Sequence, residues 1–85
     1  MKIIRGESVK AIKDYDLFDN NVNGMVGVYL KTDERSGKHL VYFQQVGEWA
    51  ELTSDSIEQL APGNISGENQ EFISRIKEME ITLVT

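Results

Sequence analysis

After Gly24 the chain reads MVGVYLKT, a polar turn DERSGK, HLVYFQQ, a turn at Gly47, then EWAEL and TSDSIEQL to Leu60. Three runs rich in β-branched and aromatic residues are thus separated by breaks too short to hold a helix. Breaks of hairpin length force neighbouring strands to lie antiparallel. A further short turn leads into a fourth strand at Ile57. So many short strands in so few residues describe a small, strongly bent sheet or barrel, an architecture that is more often a docking module than a catalyst.

Length and composition limit what can surround that sheet. Eighty-five residues make one domain. A chain of this size buries only about 60–65% of the surface it exposes when unfolded, so every apolar side chain matters. Cysteine is absent, which removes disulfides and thiolate metal sites as supplements to a thin core. The start MKIIRGESVK lacks the apolar stretch of a signal peptide, and no apolar run approaches the length of a membrane span. A soluble, cytoplasmic domain is expected.

The net charge is −5, unevenly spread. Residues 1–13 carry Lys2, Arg5, Lys10 and Lys13 against Glu7, while the rest of the chain holds five basic and thirteen acidic side chains. Nucleic-acid binding relies on clustered Lys and Arg, so no nucleic-acid partner is expected. An acidic surface suits solubility, or a basic protein partner drawn in by long-range attraction.

Period-two alternation places Val9 and Ala11 on one face of a first strand that follows Gly6. The segment DYDLFDNNVNG forms the longest loop, its Asp and Asn side chains bonding nearby backbone. Tyr15, Leu17, Phe18 and Val22 are apolar enough to fold back over one end of the sheet. In the second strand Val26, Val28 and Leu30 share the inner face, with Gly27 and Tyr29 opposite; Gly27 suggests a bulge or sharp coil. Val41 and Phe43 point inward in the third strand, with Leu40 and Tyr42 on the other side. Ala50 and Leu52 follow in the run after Gly47, where Trp49 and Glu51 face away. Thr53 to Ser56 resembles one helical turn capped by Thr53, after which Ile57 and Leu60 re-enter the core and Pro62-Gly63 ends the unit.

Residues 63–85 change pattern. A helix is predicted over Glu68–Glu78 from a start at Ser66 or Gly67, with Glu68 and Glu71 in its first turn and Arg75 and Lys77 in its last. Phe72, Ile73, Ile76 and Met79 form an apolar stripe at helical spacing. So short a helix must pack on something to persist. ITLVT then returns to a strand pattern, able to pair with an edge in its own chain or in a neighbour's and so to make oligomers.

Candidate sites are few. Asp19, Asn21, Asn23 and Gly24 match the opening of an EF-hand calcium loop, with Val26 at its apolar position. Position twelve, where calcium needs a bidentate Glu, is Leu30, so no metal site is expected. His39 stands alone with no Cys nucleophile, and no phosphate-cradling or zinc motif occurs. Asn64-Ile65-Ser66 has the form of a glycosylation acceptor, which is silent without secretion. Glu48, Glu51, Asp55 and Glu58 follow a solvated-face pattern. Neither a catalytic residue nor a cofactor is expected. The aromatics Tyr15, Phe18, Tyr29, Tyr42 and Trp49, rimmed by Asp14, Asp16 and Asp19, offer a partner-binding surface. They could equally be where the C-terminal helix packs through Phe72 and Ile76.

Gly6 through Leu60 resembles the SH3-like barrels of electron-transport accessory proteins, of the type of photosystem I reaction-centre subunit IV and the variable chain of ferredoxin–thioredoxin reductase. The matching residues are Gly6 and Val9, Gly24 and Val26, Val41 and Phe43, and Leu52, Ile57 and Leu60 around the one-turn helix. They cover about two-thirds of the chain. The resemblance implies a cofactor-free module docked on a larger complex, and no functional residue is carried over from it. The expected architecture is mainly β: a five-stranded SH3-like barrel over residues 1–62, with a C-terminal helix and short final strand over residues 63–85 packed on it. The expected role is non-enzymatic: docking on a protein of unstated identity. The alternative is a free-standing acidic inhibitor or immunity-type protein that masks a basic site with Glu48, Glu51, Asp55 and Glu58.

Overall fold

The computed structural model describes residues 2–84, and of residues 77–84 the backbone alone. The chain is mainly β. Strands β1 (Ser8–Ala11), β4 (Val26–Thr32), β5 (His39–Phe43), β6 (Glu48–Leu52) and β7 (Ile57–Gln59) form one antiparallel sheet in the order β6-β5-β4-β1-β7. Strands β2 (Asp16–Leu17) and β3 (Asn20–Asn21) make a separate two-stranded ribbon inside what the sequence suggested was a loop. A 3-10 turn, Ser54–Ser56, joins β6 to β7, and helix α1 (Gly67–Val84) closes the chain.

The inner face is built from the alternation expected. Val9, Ala11, Val41, Phe43, Ala50, Leu52 and Ile57 are buried together, and the ribbon adds Leu17 and Val22. Two placements differ. Leu60 is exposed, and Phe18 stands clear of the sheet end over which Leu17 and Val22 fold.

Strand β4 reverses the expected faces. Val9 pairs with Gly27 and Tyr29 pairs with Val41, so Gly27 and Tyr29 face the core and Val26 is exposed. Val28 lies opposite Ser8 and Tyr42 on the other face, yet it too is buried. A strand covered on both sides loses the polar half of its alternation, so period two no longer reports which face is inner. The bulge falls between Tyr29 and Lys31 rather than at Gly27. Gly27 has a different cause: a Cβ there would sit 2.6 Å from Val41 Cγ1 and 2.8 Å from the Tyr42 carbonyl oxygen. Only a residue without a side chain allows β4 and β5 to approach so closely.

Helix α1 covers the outer face. Ser66 Oγ accepts from the Asn69 amide at 3.1 Å, which caps the helix start. Asn69, buried, donates from Nδ2 to the Gly6 carbonyl and to Ser8 Oγ, both at 2.8 Å. Phe72, Ile73 and Ile76 are half-buried on the expected stripe; the side chain of Met79 lies outside the described residues. The helix does not stop near Glu78, so Arg75 and Lys77 are not in its last turn, and residues 81–84 are helical instead of forming a strand. Extending an existing helix requires no new nucleus, and β-branched residues cost it only a few tenths of a kcal/mol each (roughly, relative to Ala). Thr85 lies outside the described residues. The route to oligomers through a final strand therefore loses its strand.

At the 3-10 turn the Ser56 amide bonds the Thr53 carbonyl at 2.9 Å. Thr53 provides no side-chain cap to the backbone; its hydroxyl bonds the Asp55 carboxylate and lies 2.8 Å from Ser56 Oγ. No helix is long and apolar enough to cross a membrane among the described residues.

Candidate interaction surface

The structure divides the aromatic and acidic residues singled out from the sequence among three places. Tyr29 belongs to the core and is 6% exposed. Tyr42 and Trp49 pair across β5 and β6 with ring centroids 4.8 Å apart, and Phe72 of α1 stacks on Tyr42, also at 4.8 Å. Their platform is the seat of the helix. Tyr15 is half-buried against the core, while Phe18, Asp14, Asp16 and Asp19 remain at the surface on or beside the β2–β3 ribbon.

That ribbon is a tight hairpin. Leu17 pairs with Asn20 and Asp16 with Asn21, leaving Phe18 and Asp19 as a two-residue loop. Both have positive φ, 49° and 65°. Two left-handed residues in succession match the twist of the flanking strands, and Asn-Gly is the usual choice there. Asp tolerates this conformation; Phe does not, and the left-handed region costs a residue with a Cβ about 1–2 kcal/mol. Phe18 recovers little of this by burial, being 71% exposed.

Side chains around the loop hold it in place. Asn20 Nδ2 donates to the Phe18 carbonyl at 2.9 Å. Asp14 Oδ1 accepts from Asn21 Nδ2 at 3.1 Å and from Asn23 Nδ2 at 2.9 Å. Asn21 Oδ1 in turn accepts from the amides of Tyr15 and Asn23. The bonds from Asn23 and Asn21 hold the Asp14 carboxyl below its ordinary range. Two of the residues that mimicked a calcium loop, Asn21 and Asn23, therefore form a latch in which their amide nitrogens meet the Asp14 carboxylate, while Asp19 sits in the turn. Among the described residues, no group of three or more His, Asp or Glu is placed to hold a metal ion.

His39 sits at the far end of the sheet in a chain of hydroxyls. Its Nδ1 is 2.7 Å from Thr32 Oγ1, which is 2.6 Å from the Tyr29 hydroxyl, and its Nε2 is 2.8 Å from Ser54 Oγ. A serine on an imidazole nitrogen has the form of a nucleophile and base. Here the second nitrogen meets a hydroxyl, where hydrolytic triads place a carboxylate to stabilise the charged ring. Burial lowers the His39 pKa and favours the neutral imidazole. The relay ties β4, β5 and the 3-10 turn together.

Glu7 is a buried polar group that sequence analysis passed over. It accepts from the Ile4 amide at 2.7 Å and from Gln59 Nε2 at 2.8 Å. Burial on its own would raise its pKa, but the bonds from Ile4, Gln59 and the Gly63 amide outweigh that and hold it low. Of the acidic positions considered for masking a basic site, Asp55 is engaged by Lys13 Nζ at 2.5 Å and Glu58 lies opposite Lys10 on β1. Glu48 and Glu51 are exposed. A cleft of about 620 Å³ beside the β4–β5 turn is lined by Lys31, Arg35 and Lys38 together with Asp33, Glu34 and Glu51, a mixture that selects neither anions nor cations.

No family model matches the sequence, and neither the curated proteins nor the solved structures hold a significant match to it.

Proposed function

We propose that this chain is a non-enzymatic interaction or accessory module, an SH3-like barrel that docks on a larger protein. The strand order β6-β5-β4-β1-β7 with a 3-10 turn before the last strand supports the SH3-like part, and closure of the sheet into a barrel belongs to the proposal. The observation that carries the functional part is the β2–β3 hairpin. It is anchored in the core by Leu17 and Val22, latched by Asp14, and exposes an aromatic side chain. A rigid element that displays apolar area loses little freedom when it binds.

Co-purification of the full chain from the cell that makes it tests this reading. The expected result is a stoichiometric protein partner retained as salt is raised. A complex that dissolves between low and high salt would favour the acidic inhibitor instead, since exposed charges are screened. A chain that elutes alone at every salt concentration refutes both.

A further inference from the structure

Among the described residues, Phe18 is one of two non-glycine residues with positive φ and the most exposed of the large apolar side chains. Asn or Gly at this loop position would be unstrained and would leave the Leu17 and Val22 anchors unchanged. The turn itself therefore does not call for a phenyl ring. Strain kept at an exposed position, with little burial to offset it, points to a gain outside the chain.

The surroundings narrow what can accept the ring. Residues 14–24 contain three Asp and no Lys or Arg, and Asp14, Asp16 and Asp19 are all exposed. The nearest cation along the chain, Lys13, is already engaged by Asp55. A phosphate backbone or an anionic lipid surface would be repelled by this rim. A protein pocket edged by cations would be attracted to it. We propose that Phe18 is an anchor side chain: the hairpin tip inserts it into a concave apolar pocket of a partner protein whose rim carries Lys or Arg, which Asp16 and Asp19 meet. An aromatic residue seated in a desolvated pocket with charges at its edge is the usual composition of a binding hot spot. This inference rests on reading the chain as an interaction module.

The test places the photo-crosslinking amino acid p-benzoylphenylalanine at position 18 or at position 60 of the full chain, in the cell that makes it. Leu60 is also exposed and serves as the comparison site. The expected result is one identified protein captured from position 18 and not from 60, its crosslinked peptide lying in an apolar pocket flanked by Lys or Arg. Capture from position 60 alone overturns the role of Phe18 and leaves the interaction module standing. Capture of a second copy of this chain overturns the partner assigned. No capture at either position, together with no co-purifying partner, overturns both. With that partner purified, Phe18→Asn should weaken binding at least tenfold while raising the melting temperature by roughly 4–8 °C. Asp16→Asn with Asp19→Asn should slow association and flatten its salt dependence. A Phe18→Asn chain that melts lower, with Phe18→Gly behaving alike, shows the ring to be structural and ends the proposal.

Discussion

Phe72 lies nearly parallel to Tyr42, the planes 26° apart, and so seats the C-terminal helix on strand β5 of the sheet. Trp49 completes the cluster at 6.2 Å from Phe72. Stacked pairs at this spacing add to what area burial contributes. Phe72→Ala should cost about 2 kcal/mol, less than a fully buried Phe because the ring is half-exposed. Trp49 fluorescence should move to longer wavelength as water reaches the indole. Unchanged emission and stability would show that the helix is seated by Asn69 and not by the aromatic cluster.

Gly27 gives a sharper expectation. Its missing Cβ is required by the Tyr42 backbone as well as by a movable side chain, so Gly27→Ala forces β4 and β5 apart. A loss of about 3 kcal/mol is expected. Gly37 is the comparison: its φ is +73° and nothing lies within 4 Å of a Cβ there, so Gly37→Ala should cost only about 1 kcal/mol. Equal urea midpoints for the two variants would contradict the close approach.

Acid should weaken the fold in two steps. His39 is held neutral by burial, its folded pKa below the unfolded one. The unfolded chain thus binds the proton first, so stability is full above about pH 6.5 and declines as pH falls below it. Glu7, Asp14 and Asp55 follow at lower pH. Their folded values are depressed, Asp55 to about 2 by Lys13 and Thr53, so their contribution is present above the unfolded carboxylate pKa and lost as pH falls through the folded one. Thermal midpoints from pH 7 to pH 2 should show both limbs. His39→Gln should flatten the upper limb, and Asp55→Asn a small part of the lower, shrinking with salt because Lys13 and Asp55 are both more than half exposed. A midpoint flat between pH 7 and pH 5 would contradict the buried neutral ring.

The core strands β1, β5 and β6 were legible because each carries one buried face, so Val9, Val41, Phe43, Ala50 and Leu52 announce themselves by alternation. The same rule misplaced Val28 and Tyr29, because both are buried although they lie on opposite faces of β4. The β-branched tail, residues 81–84, has strand propensity, but it continues a helix already nucleated at Ser66. At the hairpin tip the Asn-Gly signal is absent; Phe18 and Asp19 occupy the turn, and only the neighbouring Asn residues hint at it. The His39 relay was invisible because Thr32 and Ser54 are seven and fifteen residues away, distances over which sequence carries no pairing information.

The position of β1 has a consequence for how the molecule comes into being. Strands β4, β5 and β6 are neighbours in both sequence and sheet, so their hairpins can close locally. Strand β1 must instead wait for β7, since Val9 meets Gln59. Closing so long a loop gives no reward until its ends meet, which slows folding. During synthesis the first strand emerges early and stays half-paired until about two-thirds of the chain has emerged. Arg5, Glu7 and Lys10, beside or within it, keep that waiting segment charged and so discourage it from pairing with a stranger.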